Sequence, residues 1–431
     1  MNYQKIKGTQ DFFGVEKRKF SLIEKTAKEV SALWGFTEIE TPIFEATELF
    51  KRSVGDETDI VSKEMYTFMD KGDRSITLRP EGTAPVTRAI VENKLYTKPL
   101  PLKVSYFGPM FRYERPQAGR LRQFTQFGVE VFGIESANLD ADLIYMAYYT
   151  FQQLGLKNMK IKVNSLGDDE SRQNYQDALR AYFTPLVGGM CNDCKTRVIK
   201  NPLRILDCKV DSNGDLVKNA PRMKDFLNDS SKAYLNQIAT VLSSLGVPFE
   251  VDDQLVRGLD YYTNTVFEII YSDESSNLKD LALCGGGRYN GLSKDIGGPE
   301  LKAIGYAFGI ERVMMAMDAT NAWPKLDKET DITIIALSEE AKTESLKLAN
   351  TLRRLGKTVE LDYINTNLKP QFKLSDRNGS PVILIIGDDE MKQGIISIKN
   401  KESNTQETIA IQNLFTKLNI NGEETYAYTQ K

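Results

Sequence analysis

The stretch that most limits how this chain can fold is residues 102–132, LKVSYFGPMFRYERPQAGRLRQFTQFGVEVF. Two runs of strand-forming residues flank a polar segment, Arg115 to Arg122, which contains a Pro, a Gly and three Arg. Such punctuation between β-runs predicts a long antiparallel hairpin with a mobile basic tip. Side chains alternate along a strand, so parity sorts the faces. Arg112 and Glu114 share one face, and Phe107, Phe111 and Tyr113 the other. Beyond the tip, Phe124, Gln126 and Glu130 share a face, with Gly128 among them leaving room above the strand. Phe127, Val129 and Val131 point the opposite way. One face is therefore a core face. The other carries a cation, carboxylates, an amide and a ring, and polar residues half-buried among Phe and Val need partners. An arginine beside an aromatic ring is a platform for phosphate and base, so this face is read as a nucleotide site.

Composition narrows the chemistry. A chain of 431 residues holds two or three domains, and 41% hydrophobic with 27% charged residues is ordinary for a globular protein. No apolar run reaches the length of a membrane span, and the opening MNYQKIKGTQDFFG is too polar for a secretory signal. The expectation is a cytoplasmic protein with no membrane partner. A net charge of -3 does not mark a nucleic-acid binder, so any RNA contact falls to local patches such as Arg115, Arg120 and Arg122. The chain contains no histidine, which removes the usual near-neutral acid–base group and excludes histidine-dependent triads, zincins and histidine kinases. Chemistry that rests on positioning and charge stabilisation survives that exclusion. Of the four cysteines, Cys191 and Cys194 form C-x2-C, Cys208 follows, and Cys284 lies in a different segment. A structural zinc site takes four ligands, and here the fourth would have to be Cys284 or an acidic residue. Reduced thiols without a metal are the expectation.

Taken in order, residues 15–34 have helical apolar spacing and end at Gly35, and FTEIETPIFE, 36–45, alternates as a strand. ITLRPEGT, 76–83, is a strand running into a turn. Its Glu81 and Thr83 offer an anion and a hydroxyl suited to a substrate ammonium group, with Thr83 as N-cap of the helix that follows. A helix at 139–155 and a strand at KIKVNS precede a helical stretch, about 170–245, that contains three of the cysteines and reads as an insertion domain. In RGLDYYTNTVFEIIY, 257–271, Arg257 precedes Gly258 and can reach out of a tight turn. The adjacent Tyr261 and Tyr262 would point to opposite faces of a strand. CGGGRYNGL, 284–292, reads as a glycine-rich turn allowing close backbone approach, without the GK[ST] of a phosphate loop. IGYAFGIERVMMAM, 304–317, is a strand into a helix, with Glu311 and Arg312 at the helix start. A polar linker, 318–330, leads to alternating strands and helices, an α/β domain with a mainly parallel sheet.

Five segments in this order, KGTQD at 7–11, TLRPEGT at 77–83, FRYERPQAGRLRQFTQFGVEVFG at 111–133, RGLDYY at 257–262 and GYAFGIER at 305–312, resemble the class II aminoacyl-tRNA synthetases, specifically the histidyl-tRNA synthetase family. The resemblance implies an α+β catalytic domain over 1–325, an antiparallel sheet flanked by helices, interrupted at about 170–245 by a helical insertion lying over the tRNA acceptor arm. It also implies a C-terminal α/β anticodon-binding domain over 331–431, and a homodimer whose interface involves the helix and strand before residue 45. The implied reaction is ATP-dependent ligation of L-histidine to its tRNA through histidyl-adenylate, releasing AMP and pyrophosphate, with Mg2+ accompanying ATP. Carried over by position, Arg112 and Arg257 are catalytic. Glu81, Gly82, Thr83, Gln126, Glu130, Tyr261 and Tyr262 bind histidine, with Glu130 and Tyr262 around the imidazole. Arg112, Glu114, Phe124 and Arg312 bind ATP, and Gln117 meets the tRNA acceptor end. The alternative is a non-catalytic, synthetase-like regulatory subunit of histidine biosynthesis. Such paralogues usually lack the anticodon domain and erode the arginines, all of which this chain keeps.

Overall fold

The expected hairpin forms. The computed structural model describes residues 3–55, 58–117, 119–273, 278, 280–326, 330–420 and 426, so residues 327–329 of the expected linker and the chain end at 421–425 and 427–431 lie outside the described residues. In chain order the first strands are β1 Thr37–Glu38, β2 Phe44–Ala46, β3 Tyr66–Met69, β4 Ser75–Leu78, β5 Leu102–Phe111 and β6 Gln123–Phe132. They are followed by β7 Met159–Ser165, β8 Phe249–Val251, β9 Thr263–Tyr271, β10 Leu281–Arg288 and β11 Ala303–Gly309. Eight of these make one sheet in the order β1-β5-β6-β11-β10-β9-β7-β8. The interior pairs are antiparallel, and the outermost pairs, β1 with β5 and β7 with β8, are parallel. The expected antiparallel sheet thus forms the interior, and a parallel strand pair at each edge makes the whole mixed.

Parity in the hairpin holds across the register Gly108↔Gln126 and Met110↔Phe124. Phe127, Val129 and Val131 pack with Phe20 and Ile23 of the helix Gly14–Leu33, Ala141 and Ile144 of the helix Ala137–Gln153, and Val313 and Met317 of the helix Ile310–Thr320. The opposite face is also partly core. Val104, Tyr106, Met110 and Phe132 pack there with Tyr261, Tyr262, Tyr289 and Leu292, and with Val86 and Ile90 of the helix Thr83–Glu92. A polar site has thus been set into a second apolar layer. Under the sheet, Arg288 donates to both oxygens of Asp140, at 2.5 and 2.9 Å, with both side chains wholly buried.

Several expectations need correcting. The segment 36–45 is not one strand: β1 edges the large sheet, while β2 joins a separate sheet in the order β2-β4-β3. Pro42 lies in the break, where it lacks the N–H that a continuous ladder requires. The glycines at 285–287 belong to β10 rather than to a turn. The helix Ile310–Thr320 runs into the segment expected to be linker. Residues 175–227 close a small core of their own around Tyr175, Phe183, Cys194, Cys208 and Met223. The helix Asp229–Ser244 instead sends Ile238 and Leu242 into the main core.

The chain divides into two compact units, Met1–Pro324 and Lys325–Lys431. The second holds β12 Ile332–Ala336, β13 Val359–Leu361, β14 Val382–Ile386, β15 Ile395–Asn400 and β16 Thr405–Ala410, in the order β13-β12-β14-β15-β16. The first two pairings are parallel and the last two antiparallel, so this sheet is mixed rather than mainly parallel. The reason is connection length. A parallel crossover needs a dozen or more residues, and only residues 387–394 join β14 to β15 and 401–404 join β15 to β16.

Candidate active site

One cleft opens over the hairpin's polar face. Of the residues assigned from the sequence, Glu81, Gly82, Thr83, Arg112, Glu114, Phe124, Gln126, Arg257, Tyr261, Tyr262 and Arg312 all line it. Gln117 and Glu130 do not. Gln117 sits exposed at the hairpin tip, where its N–H and carbonyl pair with Arg120. Glu130 is 1% exposed, behind the cleft wall.

At the arginine-rich end, the Arg112 guanidinium lies 5.3 Å from the Phe124 ring centroid, and its Nε donates to the Pro80 carbonyl at 2.8 Å. Glu114 faces the cleft in an ion pair with Arg120 at 3.3 Å. Arg312 donates from Nε to the Gly119 carbonyl at 2.9 Å and from Nη1 to the Ala282 carbonyl at 2.8 Å, which draws the hairpin tip over the cleft. Burial first, and then the Arg120 charge, hold the Arg312 pKa below its usual value. Both carboxylate oxygens of Glu311 accept from the Thr125 N–H, at 2.9 and 3.0 Å, locking the helix start to β6. Burial pushes the Glu311 carboxyl up to about 6. The tip is tied further back, since the Gly8 carbonyl accepts from the N–H groups of Arg122 and Gln123, and the Arg122 guanidinium lies 4.0 Å from the Tyr113 ring centroid. Of the basic residues expected to meet RNA, Arg120 and Arg122 thus already have protein partners.

Arg257 lies directly on β10. A Cβ placed at Gly285 would fall 1.7 Å from its Nη2, so only glycine admits the guanidinium there. Its Nη1 donates to Glu268 at 2.6 Å, and its carbonyl accepts from Arg204 at 2.9 Å. Glu268 was missed in the sequence. Its signal was a lone carboxylate inside the apolar run VFEII of β9.

At the opposite end, Glu81 accepts from the N–H groups of Thr83 and Ala84, at 2.6 and 2.9 Å. The helix begins at Thr83 with Gly82 in the cap position, so the expected N-cap at Thr83 is replaced by the Glu81 carboxylate. The Thr83 hydroxyl donates to Glu130 Oε1 at 2.7 Å, and the Tyr289 hydroxyl donates to Glu130 Oε2. Desolvation pushes Glu130 up to about 8 and also raises Glu81. The space expected above Gly128 is filled: a Cβ there would meet the Tyr106 ring at 2.2 Å. Tyr261 and Tyr262 both line the cleft, with ring centroids 4.8 Å apart. The opposite-face expectation fails because β9 starts only at Thr263, and strand alternation does not govern the loop before it. The Gln126 Oε1 is buried without a hydrogen-bond partner, which marks a position built to meet a donor from a ligand.

Chemically, the cleft offers four arginines, Arg112, Arg120, Arg257 and Arg312, at one end and carboxylates, an unpaired amide oxygen and tyrosines at the other. Comparison with known proteins agrees with that arrangement. A family model described as histidyl-tRNA synthetase matches residues 8–313, and one described as an anticodon binding domain matches residues 331–420. The histidine–tRNA ligase of Bacillus cytotoxicus is 48% identical over 412 residues, covering 95% of this chain and 97% of the relative. That of Geobacillus kaustophilus is 48% identical over 415 residues, covering 96% and 97%. The crystal structure of apo S. aureus histidyl-tRNA synthetase superposes with a TM-score of 0.83 at 39% identity, covering 96% of this chain and 99% of that one.

Proposed function

This chain belongs to the histidyl-tRNA synthetase family, and from that premise we propose how its residues divide the work of charging tRNA with histidine. The reaction is ATP-dependent ligation of L-histidine to its tRNA through histidyl-adenylate. In the first step a histidine carboxylate oxygen attacks the α-phosphorus of ATP, the bond from that phosphorus to the bridging oxygen breaks, and pyrophosphate leaves. Arg112 and Arg257 face the negative charge that grows on the phosphoryl oxygens. Arg257 is already aimed by Glu268 and bedded on Gly285. Phe124 and Arg312 enclose the adenine.

Mg2+ accompanying ATP would supply charge neutralisation at the outer phosphates. Glu114 fits it best: Glu268 is held by Arg257 and Glu311 by the Thr125 N–H, whereas Glu114 has only a 3.3 Å pairing with Arg120.

Glu81, Gly82, Thr83 and Gln126 hold the ammonium and carboxylate ends of histidine, the unpaired Gln126 oxygen receiving an N–H. Tyr261 and Tyr262 wall the imidazole pocket. Glu130 reads the ring through lone pairs left over from Thr83 and Tyr289. In the second step the terminal adenosine hydroxyl of tRNA attacks the adenylate carbonyl and AMP leaves, with exposed Gln117 meeting the acceptor end. The compact core around 175–227 serves as the insertion over the acceptor arm, and the unit from 331 onward meets the anticodon.

No helix among the described residues is long and apolar enough to cross a membrane, in keeping with a cytoplasmic enzyme. It works as a homodimer. Ile43, Phe44, Phe68 and Met69 around the small sheet are 44–58% exposed, an apolar surface suited to a second copy.

The observation that carries this reading is the convergence of Arg112, Arg257 and Arg312 on one cleft that also holds Glu81 and the unpaired Gln126 oxygen. The test is ATP–pyrophosphate exchange with each amino acid in turn. Exchange stimulated by histidine alone is expected. Comparable exchange with another amino acid overturns the histidine specificity, and no exchange with any amino acid overturns the reading in favour of a binding-only regulatory subunit.

A further inference from the structure

The segment between the catalytic motifs brings together four groups that the sequence left scattered. The Sγ atoms of Cys191, Cys194 and Cys208 and a carboxylate oxygen of Asp211 all lie within 4.8 Å of one another. Cys194 and Cys208 are buried, while Cys191 and Asp211 are partly open. The fourth ligand that neither a histidine nor the distant Cys284 could supply is thus an aspartate three residues beyond the third cysteine. From this constellation we propose that Cys191, Cys194, Cys208 and Asp211 form a structural zinc site, against the expectation of metal-free thiols.

The geometry suits that ion. Zn–S bonds of about 2.3 Å on a tetrahedron put sulfurs about 3.8 Å apart, and Cys191 Sγ and Cys208 Sγ are 3.7 Å apart. A tetrahedral S–O edge is about 3.5 Å by the same bond lengths, and Cys208 Sγ to Asp211 Oδ2 is 4.0 Å, a gap that a small side-chain rotation closes. Supporting hydrogen bonds are also in place. The Cys194 N–H reaches Cys191 Sγ at 3.5 Å, the Val210 N–H reaches Cys208 Sγ at 3.4 Å, and the Cys191 N–H donates to Asp211 Oδ2 at 3.0 Å. Backbone N–H donors to sulfur stabilise thiolates, and partners of this kind orient metal ligands.

The local fold supplies the reason for such a site. The core at 175–227 is drawn from a short segment and partly from short pieces, including Pro202–Ile205, Asp215–Lys218 and Met223–Asp225. Small cores of this kind are commonly stapled by a metal. The staple is also linked to the cleft through hydrogen bonds. Asp207, beside Cys208, accepts from Arg204 at 2.7 Å, and Arg204 donates to the Arg257 carbonyl at 2.9 Å.

The test is elemental analysis of the full-length protein purified under reducing conditions, followed by titration of the demetallated, reduced protein with cobalt. The expected result is one zinc per chain and the intense visible bands of tetrahedral cobalt–thiolate coordination. Cys194→Ser should abolish both. Asp211→Ala should make zinc at least tenfold easier to remove in competition with a chelator. The unmodified protein decides the matter even if a variant misfolds. Absence of zinc together with absence of cobalt bands overturns the proposal. So does full zinc retention by a folded Cys194→Ser.

Discussion

Glu130 is a carboxyl enclosed by hydroxyls, and its behaviour follows from burial. Free glutamate titrates near 4.5, while here desolvation lifts it to about 8. Between those values the folded protein holds a proton that the unfolded chain releases, so stability falls as pH rises through the window. The slope for one such group is up to about 1.4 kcal/mol per pH unit. Glu130→Gln cannot titrate, and urea unfolding from pH 5 to pH 8 should show a flatter decline than the parent. An unchanged slope would mean that other groups carry it. The same substitution exchanges one carboxyl oxygen for an amide N–H donor, and the mismatch of one hydrogen bond with the imidazole, worth about 1.5–3 kcal/mol, should lower the specificity constant for histidine about tenfold to a hundredfold, with the ATP constant barely moved. Equal loss for both substrates would make Glu130 purely structural. Arg257→Ala should reduce pyrophosphate exchange by about a hundredfold to a thousandfold, the scale seen when one donor to developing charge is removed. Exchange within a fewfold of the parent would overturn its catalytic role.

Between elements, the Arg288–Asp140 pair joins β10 to the helix Ala137–Gln153, and Asp140 also accepts from Thr265 of β9 at 2.7 Å. Removing one partner of a wholly buried pair strands the other charge, which costs about 3–5 kcal/mol. Asp140→Ala should therefore lower the unfolding free energy by that amount in denaturant titration. A loss below about 1 kcal/mol would show that Arg288 finds another partner or water. The Glu311–Thr125 contact works at the same scale. It fastens a helix start to the strand carrying Phe124 and Gln126.

For the whole molecule, each compact unit has its own apolar core. The second is built on Ile334, Leu348, Leu352, Leu384 and Ile396. The cleft takes all its lining from the first unit. Deleting residues 331–431 should therefore leave histidine-dependent pyrophosphate exchange measurable and largely abolish tRNA charging, as followed by aminoacylation of the histidine tRNA. Full charging by the truncated enzyme would remove the anticodon-binding role from that unit.

Much of this was legible in the sequence because it is written between neighbours. Period-two alternation in 102–132 placed Arg112, Phe124 and Gln126 on one face of a hairpin, and helical spacing marked the segment Gly14–Leu33. Tertiary structure alone decided who meets whom. Thr83 and Tyr289 close on Glu130 from 47 and 159 positions away, which turns an expected open acceptor into a buried carboxyl already bonded to two hydroxyls. Glu268 finds Arg257 across a strand–loop junction, and Tyr106 fills the space that Gly128 was expected to leave open. Asp211 completes the cysteine cluster through a turn with no periodic signal. Alternation encodes which way a side chain points from its own backbone. The order in which strands assemble encodes what it finds there, and that order is settled by burial and connection length over the whole chain.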